Sequence, residues 1–231
     1  MKNIIYSFNQ LTRYWDKLSG IWLTFPFSYS KMKEFHKIEE KSVLSLINNK
    51  NSTVLDLGCG TGRILEPLNK KGCAKLYGLD ISSEMLKICK SHLSNSTILL
   101  QHDFRIRLPF QSNSFDFVIA TANTLISGIE NPKKILKDIY RILKKNGKLI
   151  AGIYNADYLT GNLVEKYYKK FPKDKILGFV KFDNKRKIVY FGGLYSRWMT
   201  EKEIIELFNN SGFHKIKIKR EGIGFIVIAK K

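Results

Sequence analysis

The stretch VLDLGCGTGR, Val54 to Arg63, constrains this chain more than any other. An apolar run ends in Asp56, glycines alternate at Gly58, Gly60 and Gly62, and a helical pattern follows at once. Such a stretch reads as a buried strand turning sharply into a helix through a turn with almost no side-chain bulk. Glycine has no Cβ to clash and reaches positive φ, so the backbone here can come close to a ligand. A tight turn with no ligand is the plainer alternative, and the spacing narrows the choice. A dinucleotide-binding turn reads G-x-G-x-x-G, its third glycine allowing close helix–strand packing and pyrophosphate access. Here the pattern is G-x-G-x-G, and Arg63 stands where that third glycine would be, which argues against a nicotinamide or flavin dinucleotide.

Downstream the pattern alternates. Strands are expected at Thr53–Leu57, Lys75–Leu79, Thr97–Gln101, Phe115–Thr121 and Lys148–Tyr154. Helices are expected from about Gly62 to Lys70, from Ser83 to His92 behind a Ser82 N-cap, and from Pro132 to Lys145 before Asn146-Gly147. This alternation implies a parallel sheet with helices on both faces, and ligands beyond the carboxyl ends of its strands. The glycine loop, Asp80, Asp103 and Ala122–Thr124 should therefore meet. Upstream, Met1 to about Asn51 looks helical and aromatic-rich, with a break near Pro26 and an apolar face of Phe35, Ile38, Val43, Leu44 and Ile47. After Asn155 come a helical piece, Asn162–Lys170, and two β-like runs, Lys175–Phe182 and Ile188–Phe191, around Asp183-Asn184-Lys185. They suggest a hairpin that Gly192-Gly193 ends. Thr200 caps a helix, Glu201–Asn210, stopped by Gly212, and Lys215–Lys219 and Ile223–Ala229 read as closing strands.

At 231 residues the chain supports one sizeable core. Its longest uncharged apolar stretch, Phe117–Ile129, falls short of the roughly 18 residues a membrane span needs. The start, MKNIIYSFNQLTRYW, lacks the apolar core of a signal peptide, so a cytoplasmic protein without a membrane partner is expected. Cys59, Cys73 and Cys89 form no C-x-x-C pair, so neither a disulfide framework nor a metal site is expected. The net charge of +20 is carried mostly by lysines spread along the chain and denser after Lys133. A solvated lysine coat and an RNA-facing surface both account for it.

The stretch from Val54 to Arg63 resembles motif I of the class I S-adenosylmethionine (SAM)-dependent methyltransferases, of the small-molecule type known as methyltransferase domain 11 or 25. The resemblance implies that Asp56, Gly58, Cys59, Gly60 and Gly62 form the loop against the methionine part of SAM. Asp80, after LYGL, carries a carboxylate able to accept two hydrogen bonds from a ribose diol, and the family's matching acidic residue holds the SAM ribose. HDFRIRLPFQSNSFDFVIA strengthens the likeness through Asp103, Leu108-Pro109-Phe110 and Phe115-Asp116. By resemblance Asp103 accepts from the adenine amino group and Phe104 presents its backbone amide to the ring. Ile81, Met85 and Thr121 complete the expected cofactor set, and Tyr14, in Tyr14-Trp15-Asp16, resembles a residue that helps cover SAM. Asp116 is expected to be structural and His102 simply a strand-end histidine. The likeness resumes at Trp198–Phe213. It implies a doubly wound, mostly parallel, Rossmann-like seven-stranded sheet with an antiparallel last strand, divided into an N-terminal helical lid (1–51), a SAM-binding core (52–155), an inserted hairpin-containing cap (156–198) and closing elements (199–231).

Methyl transfer is an in-line displacement in which the protein mainly positions the nucleophile and excludes water, so no catalytic residue is singled out. The Asn-Pro-Pro-Tyr signature of amide and adenine N-methylation is missing after the fourth strand, where Thr121-Ala122-Asn123-Thr124-Leu125 stands, and so is the Pro-Cys of cytosine C5 chemistry. Asn123 either orients a substrate or structures its loop. Trp15, Trp22, Phe25, Phe27 and Tyr29 from the N-terminal segment, and Tyr154, Tyr158, Tyr167, Tyr195, Arg197 and Trp198 from the later one, are candidates for an aromatic lid. Of these, Tyr154, Tyr195 and Arg197, with Asn123, are the candidate substrate contacts, Arg197 for a carboxylate or phosphate. The expected function is methyl transfer from SAM to a small molecule, leaving S-adenosylhomocysteine (SAH). An RNA or tRNA methyltransferase and a non-catalytic SAM-binding subunit are the alternatives.

Overall fold

Short β-branched runs between amphipathic helices produce the expected layers. The computed structural model describes residues 7–22, 30–72, 75–166, 181–191 and 194–231. Two helices, α1 (Phe8–Trp22) and α2 (Ser30–Leu46), precede β1 (Thr53–Leu57), α3 (Leu65–Lys70), β2 (Lys75–Asp80), α4 (Ser83–Ser91), β3 (Ile98–Gln101), β4 (Phe115–Ala120), α5 (Pro132–Ile142) and β5 (Leu143–Tyr154). Then follow α6 (Gly161–Lys166), β6 (Lys181–Asp183), β7 (Ile188–Phe191), β8 (Leu194–Arg197), α7 (Glu201–Asn209), β9 (Lys215–Glu221) and β10 (Gly224–Lys230).

Seven strands form one sheet in the order β3-β2-β1-β4-β5-β10-β9. The first five pair in parallel, and β10 runs antiparallel to both β5 and β9. Residues of the central strands, Val54, Leu55, Leu57, Val118 and Ile119, are wholly buried, as a sheet covered on both faces requires. Local chemistry sets the helix starts. Ser82 Oγ accepts from Met85 N at 3.1 Å, Asn131 Oδ1 from Lys134 N at 3.0 Å, and Thr200 with Glu203 forms a capping box. Asp116 is structural, accepting from Thr53 N at 2.8 Å and pairing with Lys144 at 2.7 Å.

Beyond shifts of one or two residues at element ends, the structure departs from expectation in its helix bounds and its hairpin. The helix after the glycine loop begins at Leu65 rather than Gly62, because residues 61–64 are still turning. The helix from Pro132 stops at Ile142, since Leu143 pairs with Phe115 across the sheet and long-range pairing overrides the helical run Leu143-Lys144-Lys145. The hairpin gains a third strand: β8 pairs antiparallel with β7, so the chain re-enters the cap sheet past positions 192–193. Pro26, Phe25, Phe27, Tyr29, Cys73 and Tyr167 lie outside the described residues, as does the stretch 175–180 of the first hairpin run.

The two N-terminal helices dock differently. Asp16 of α1 accepts from Ser82 Oγ at 2.6 Å and Glu84 N at 3.2 Å, tying α1 to the start of α4. In α2, Phe35 and Glu39 press onto the sheet, over Gly224 of β10 and Gly152 of β5, where any Cβ would overlap them. Residues 30–46 are thus part of a core layer, while α1 reaches the cavity at the strand ends through Leu11 and Trp15.

Candidate active site

The glycine loop folds back over β2, Gly58 N and Cys59 N both donating to Leu79 O at 2.7 and 3.1 Å. Gly58 and Gly60 adopt φ of +66° and +52°, a left-handed conformation that disfavours residues with a Cβ. Packing adds a second demand: a Cβ on Gly58 would lie 2.8 Å from Thr124 Cγ2, and one on Gly62 2.8 Å from Cys89 Sγ. At Gly60 the same atom meets, among the described residues, only Met85 Sδ, at 3.5 Å, so bare backbone faces a cavity there. Beside it, Asp80 Oδ2 accepts from Gly60 N at 2.8 Å and Oδ1 from Ser82 N at 2.9 Å. Burial pushes the Asp80 carboxyl up from its ordinary value, while the amides of Ser82, Gly60 and Ile81 hold it down. An ionised carboxylate has about four lone-pair sites. Asp80 is therefore held rigidly at the cavity wall with acceptor capacity to spare.

Gly58, Gly60, Asp80, Ile81 and Met85 line one part of this cavity, and Asp103 and Phe104 continue it. Asp103 is also held within the chain. Arg105 Nε lies 2.9 and 3.0 Å from its two oxygens, and a terminal nitrogen of Arg105 lies 2.6 Å from Oδ2. Burial pushes the Asp103 carboxyl up, but the hydrogen bonds and charge of Arg105 outweigh it and hold the group below its usual value. Both oxygens are already engaged by Arg105.

Under the loop lies a network that sequence reasoning missed. Glu39, fully buried, pairs with Arg63 at 2.8 Å and accepts from Ala122 N at 2.7 Å. Arg63 also donates to Thr121 Oγ1 at 2.9 Å and to His36 O at 2.8 Å. Thr121 thus serves Arg63 from behind the cavity wall. Burial pushes Glu39 up, against the pull of Arg63. Asp56, buried in β1, is raised to about 7, first by burial and then by the charges of Asp80 and Glu39, with Arg63 opposing. Glu39 had a signal: it lies four residues from both Phe35 and Val43, on the apolar face of its helix.

Away from the glycines the cavity turns apolar, with Met32, Ile129, Leu194, Tyr154 and Tyr195 among its walls. Leu11 and Trp15 of α1 close one side. The Tyr195 hydroxyl is pushed up by burial and by the nearby Glu130. Several expected contacts lie elsewhere. Asn123 is wholly buried: its Nδ2 donates to Ser127 Oγ, Ser196 Oγ and Arg197 O, and its Oδ1 accepts from Tyr154 N, so it structures the loop. Arg197 pairs with Glu203 at 2.8 Å, which satisfies it inside the chain and outside the cavity lining. Tyr14 packs with Ile81 and Leu194 behind the wall, and Cys59 packs among Ile64, Leu65 and Cys89.

A family profile described as "Methyltransferase domain" matches residues 55–151. Demethylmenaquinone methyltransferase of Oceanobacillus iheyensis is 30% identical over 193 residues, 80% of this chain and 79% of that protein. The chain belongs to the class I SAM-dependent methyltransferase family. An uncharacterized protein of Methanocaldococcus jannaschii is 34% identical over 165 residues, 71% of this chain but 65% of that protein's own length. A SAM-dependent methyltransferase structure from Thermotoga maritima superposes with a TM-score of 0.66 at 23% identity, covering 94% of this chain and 99% of that one, a likeness of fold. The family's cofactor is SAM, and the cavity fits it: bare backbone at Gly60, a pinned carboxylate at Asp80, and an apolar continuation beyond. Among the described residues no cluster suits a metal, and no helix is long and apolar enough to cross a membrane.

Proposed function

We propose that this chain transfers the methyl group of SAM to a small, largely apolar, aromatic acceptor of the quinol kind. One observation carries the reading: a single cavity runs from the glycine loop and Asp80 to walls made by Met32, Ile129, Leu194 and Tyr154. SAM supplies an electrophilic methyl on a positively charged sulfur. The chain's own residues then bind, orient and exclude water. Asp80 holds the ribose diol with its unused lone pairs, and Gly58 and Gly60 let backbone meet the amino-acid part. Ile81 and Met85 pack the nucleoside, with Asp103 and Phe104 at the adenine. Buried Asp56 and Glu39 contribute acidic groups beneath the loop. Leu11 and Trp15 of α1, and β8 of the cap, shut water from the acceptor end, where proximity and desolvation supply much of the rate. The names of the demethylmenaquinone methyltransferase relatives support a quinol ring as the acceptor nucleus.

The test is transfer of labelled methyl from SAM to 1,4-dihydroxynaphthalene, beside SAH calorimetry on the wild type and Asp80→Ala. Transfer to the naphthalene and at least about a tenfold loss of SAH affinity in the variant are expected, since hydrogen bonds to a charged group contribute about 1.5–3 kcal/mol each. Unchanged SAH affinity in Asp80→Ala would remove the ribose assignment. The +20 charge supports an RNA acceptor as a second reading. Labelling of bulk tRNA, with binding that falls steeply with salt, would favour it over the small molecule.

A further inference from the structure

Two serines interrupt the apolar end of the cavity. Ser127 and Ser196 both line it, and Ser196 is 3% exposed. Ser196 lies two residues after Leu194 on β8, so the two side chains leave the strand on the same face. Leu194 packs there with Leu11 and Ile81, which are also wall residues, so this is the face turned to the cavity.

Asn123 orients both hydroxyls. Its Oδ1 faces Tyr154 N, a donor at 3.2 Å, and its Nδ2 faces Arg197 O, an acceptor at 2.9 Å, so the amide has one orientation. An amide nitrogen of this kind carries two hydrogens. One goes to Arg197 O, and the serines share the other, Ser127 Oγ at 3.0 Å and Ser196 Oγ at 3.3 Å. The two serine oxygens lie 3.2 Å apart. Neither hydroxyl makes any other hydrogen bond.

The hydrogens do not balance. The pair has two hydroxyl hydrogens, and only one can lie between the two oxygens. The other has no acceptor in the chain, since Asn123 presents only its N–H to the serines. Whichever serine carries it, that residue is part of the cavity wall. A buried donor without an acceptor is costly and is ordinarily satisfied by a bound partner.

We propose that the Ser127–Ser196 pair recognises the methyl acceptor, donating its spare hydrogen to a neutral oxygen of that molecule, and that Asn123 is the residue that positions the pair. This deepens the small-molecule reading and rests on it. The oxygen is a neutral one, of the quinone or quinol kind, because the wall has no cation to spare. Arg105, the one cation among the described lining residues, pairs with Asp103 at 2.6 Å. A carboxylate or phosphate would give up its hydration for a single hydroxyl.

Two measurements test this. The first is the infrared carbonyl stretch of 1,4-naphthoquinone bound to SAH-loaded protein. One carbonyl should shift to lower frequency in the wild type. The shift should persist in Ser127→Ala and in Ser196→Ala, because the remaining serine accepts from Asn123 and keeps its hydrogen free, and it should vanish in the double variant. The second is affinity. The double variant should bind naphthoquinone about tenfold more weakly, while naphthalene, which has no oxygen, stays within about threefold and SAH affinity holds. Two unshifted carbonyls in the wild type overturn the proposal whatever the variants do. Equal loss of naphthoquinone and naphthalene in the double variant also overturns it, marking packing alone, as does wild-type naphthoquinone affinity in that variant. A wild type that binds SAH but neither probe overturns it too. Failure of the wild type to bind SAH, or to methylate any small molecule, sinks the underlying reading instead.

Discussion

Replacing Gly152 by alanine exposes what the buried ion pair contributes. Gly152 lies in β5, opposite Ile226 of β10, and its φ is not in the left-handed region. On backbone grounds alone, alanine should stabilise by about 0.4–1 kcal/mol, because it narrows the unfolded ensemble. The new Cβ, however, would fall inside the van der Waals envelope of Glu39 Oε1, the oxygen that accepts from Ala122 N. Glu39 must withdraw, breaking a 2.8 Å pair with Arg63 in which the glutamate side chain is 0% exposed. Breaking a buried pair costs about 3–5 kcal/mol, and an unsatisfied buried amide about 1–3 more, though neighbouring terms do not add fully. A net loss of about 4 kcal/mol is expected, a large share of the roughly 5–15 kcal/mol that holds a domain together. Urea melts of the wild type, Gly152→Ala, Glu39→Ala and the double variant would give the coupling. The double variant should lose much less than the two singles summed, since the clash vanishes with the carboxylate. A Gly152→Ala protein as stable as the wild type, or more so, refutes the reasoning.

Gly58→Ala should cost about 2 kcal/mol through positive φ and the Thr124 methyl, and weaken SAH at least about tenfold by calorimetry. Arg197→Ala should cost under about 1 kcal/mol in urea melts and leave SAH and naphthoquinone affinity unchanged, because its pair with Glu203 is 41% and 40% exposed and lies off the cavity. His36 carries a pH signature. Its folded pKa of about 3 lies below the unfolded value of 6.5, so folded protein binds fewer protons between them and stability falls as pH drops through that window. Asp56, raised to about 7 from 3.8, works oppositely, losing stability as pH rises between those values. Removing the first term in His36→Gln should therefore shift the variant's stability relative to the wild type by up to about 1.4 kcal/mol per pH unit below pH 6.5, in the variant's favour as acid is added. A pH-independent difference in urea midpoints would contradict this.

What was legible in the chain was local. The strand–turn–helix around Gly58, the acidic strand end at Asp80, and the caps at Ser82 and Thr200 each depend on residues within a few positions of one another. What escaped depends on distant partners. In sequence Arg63 is only the wrong residue for a dinucleotide turn, because its carboxylate is 24 residues upstream. Leu143-Lys144-Lys145 read as helix because its partner Phe115 is remote in sequence. Arg197 reads as an anion receptor because its pair with Glu203, six residues on, forms only when the strand before Thr200 and the helix after it fold together. Asn123 could not be resolved between two roles until its partners on β5 and β8 came into view.

Glu39 and the partners of Asn123 converge on one turn. Ala122 and Asn123 hold φ of +54° and +62° in succession, without a glycine. Each such residue costs about 1–3 kcal/mol unless its surroundings dictate the conformation. Here they do: Glu39 accepts from the Ala122 amide, while Asn123 binds β5 and β8 through its side chain. The strained pair throws Thr124 against Gly58 and carries the chain on to Ser127, Gly128 and Ile129 along the cavity wall. A shift of α2 or of the cap therefore moves the wall that separates the glycine loop from the apolar end. α2 and β8, which both lie outside a plain doubly wound sheet, thus shape the apolar end of the cavity through a turn that touches both.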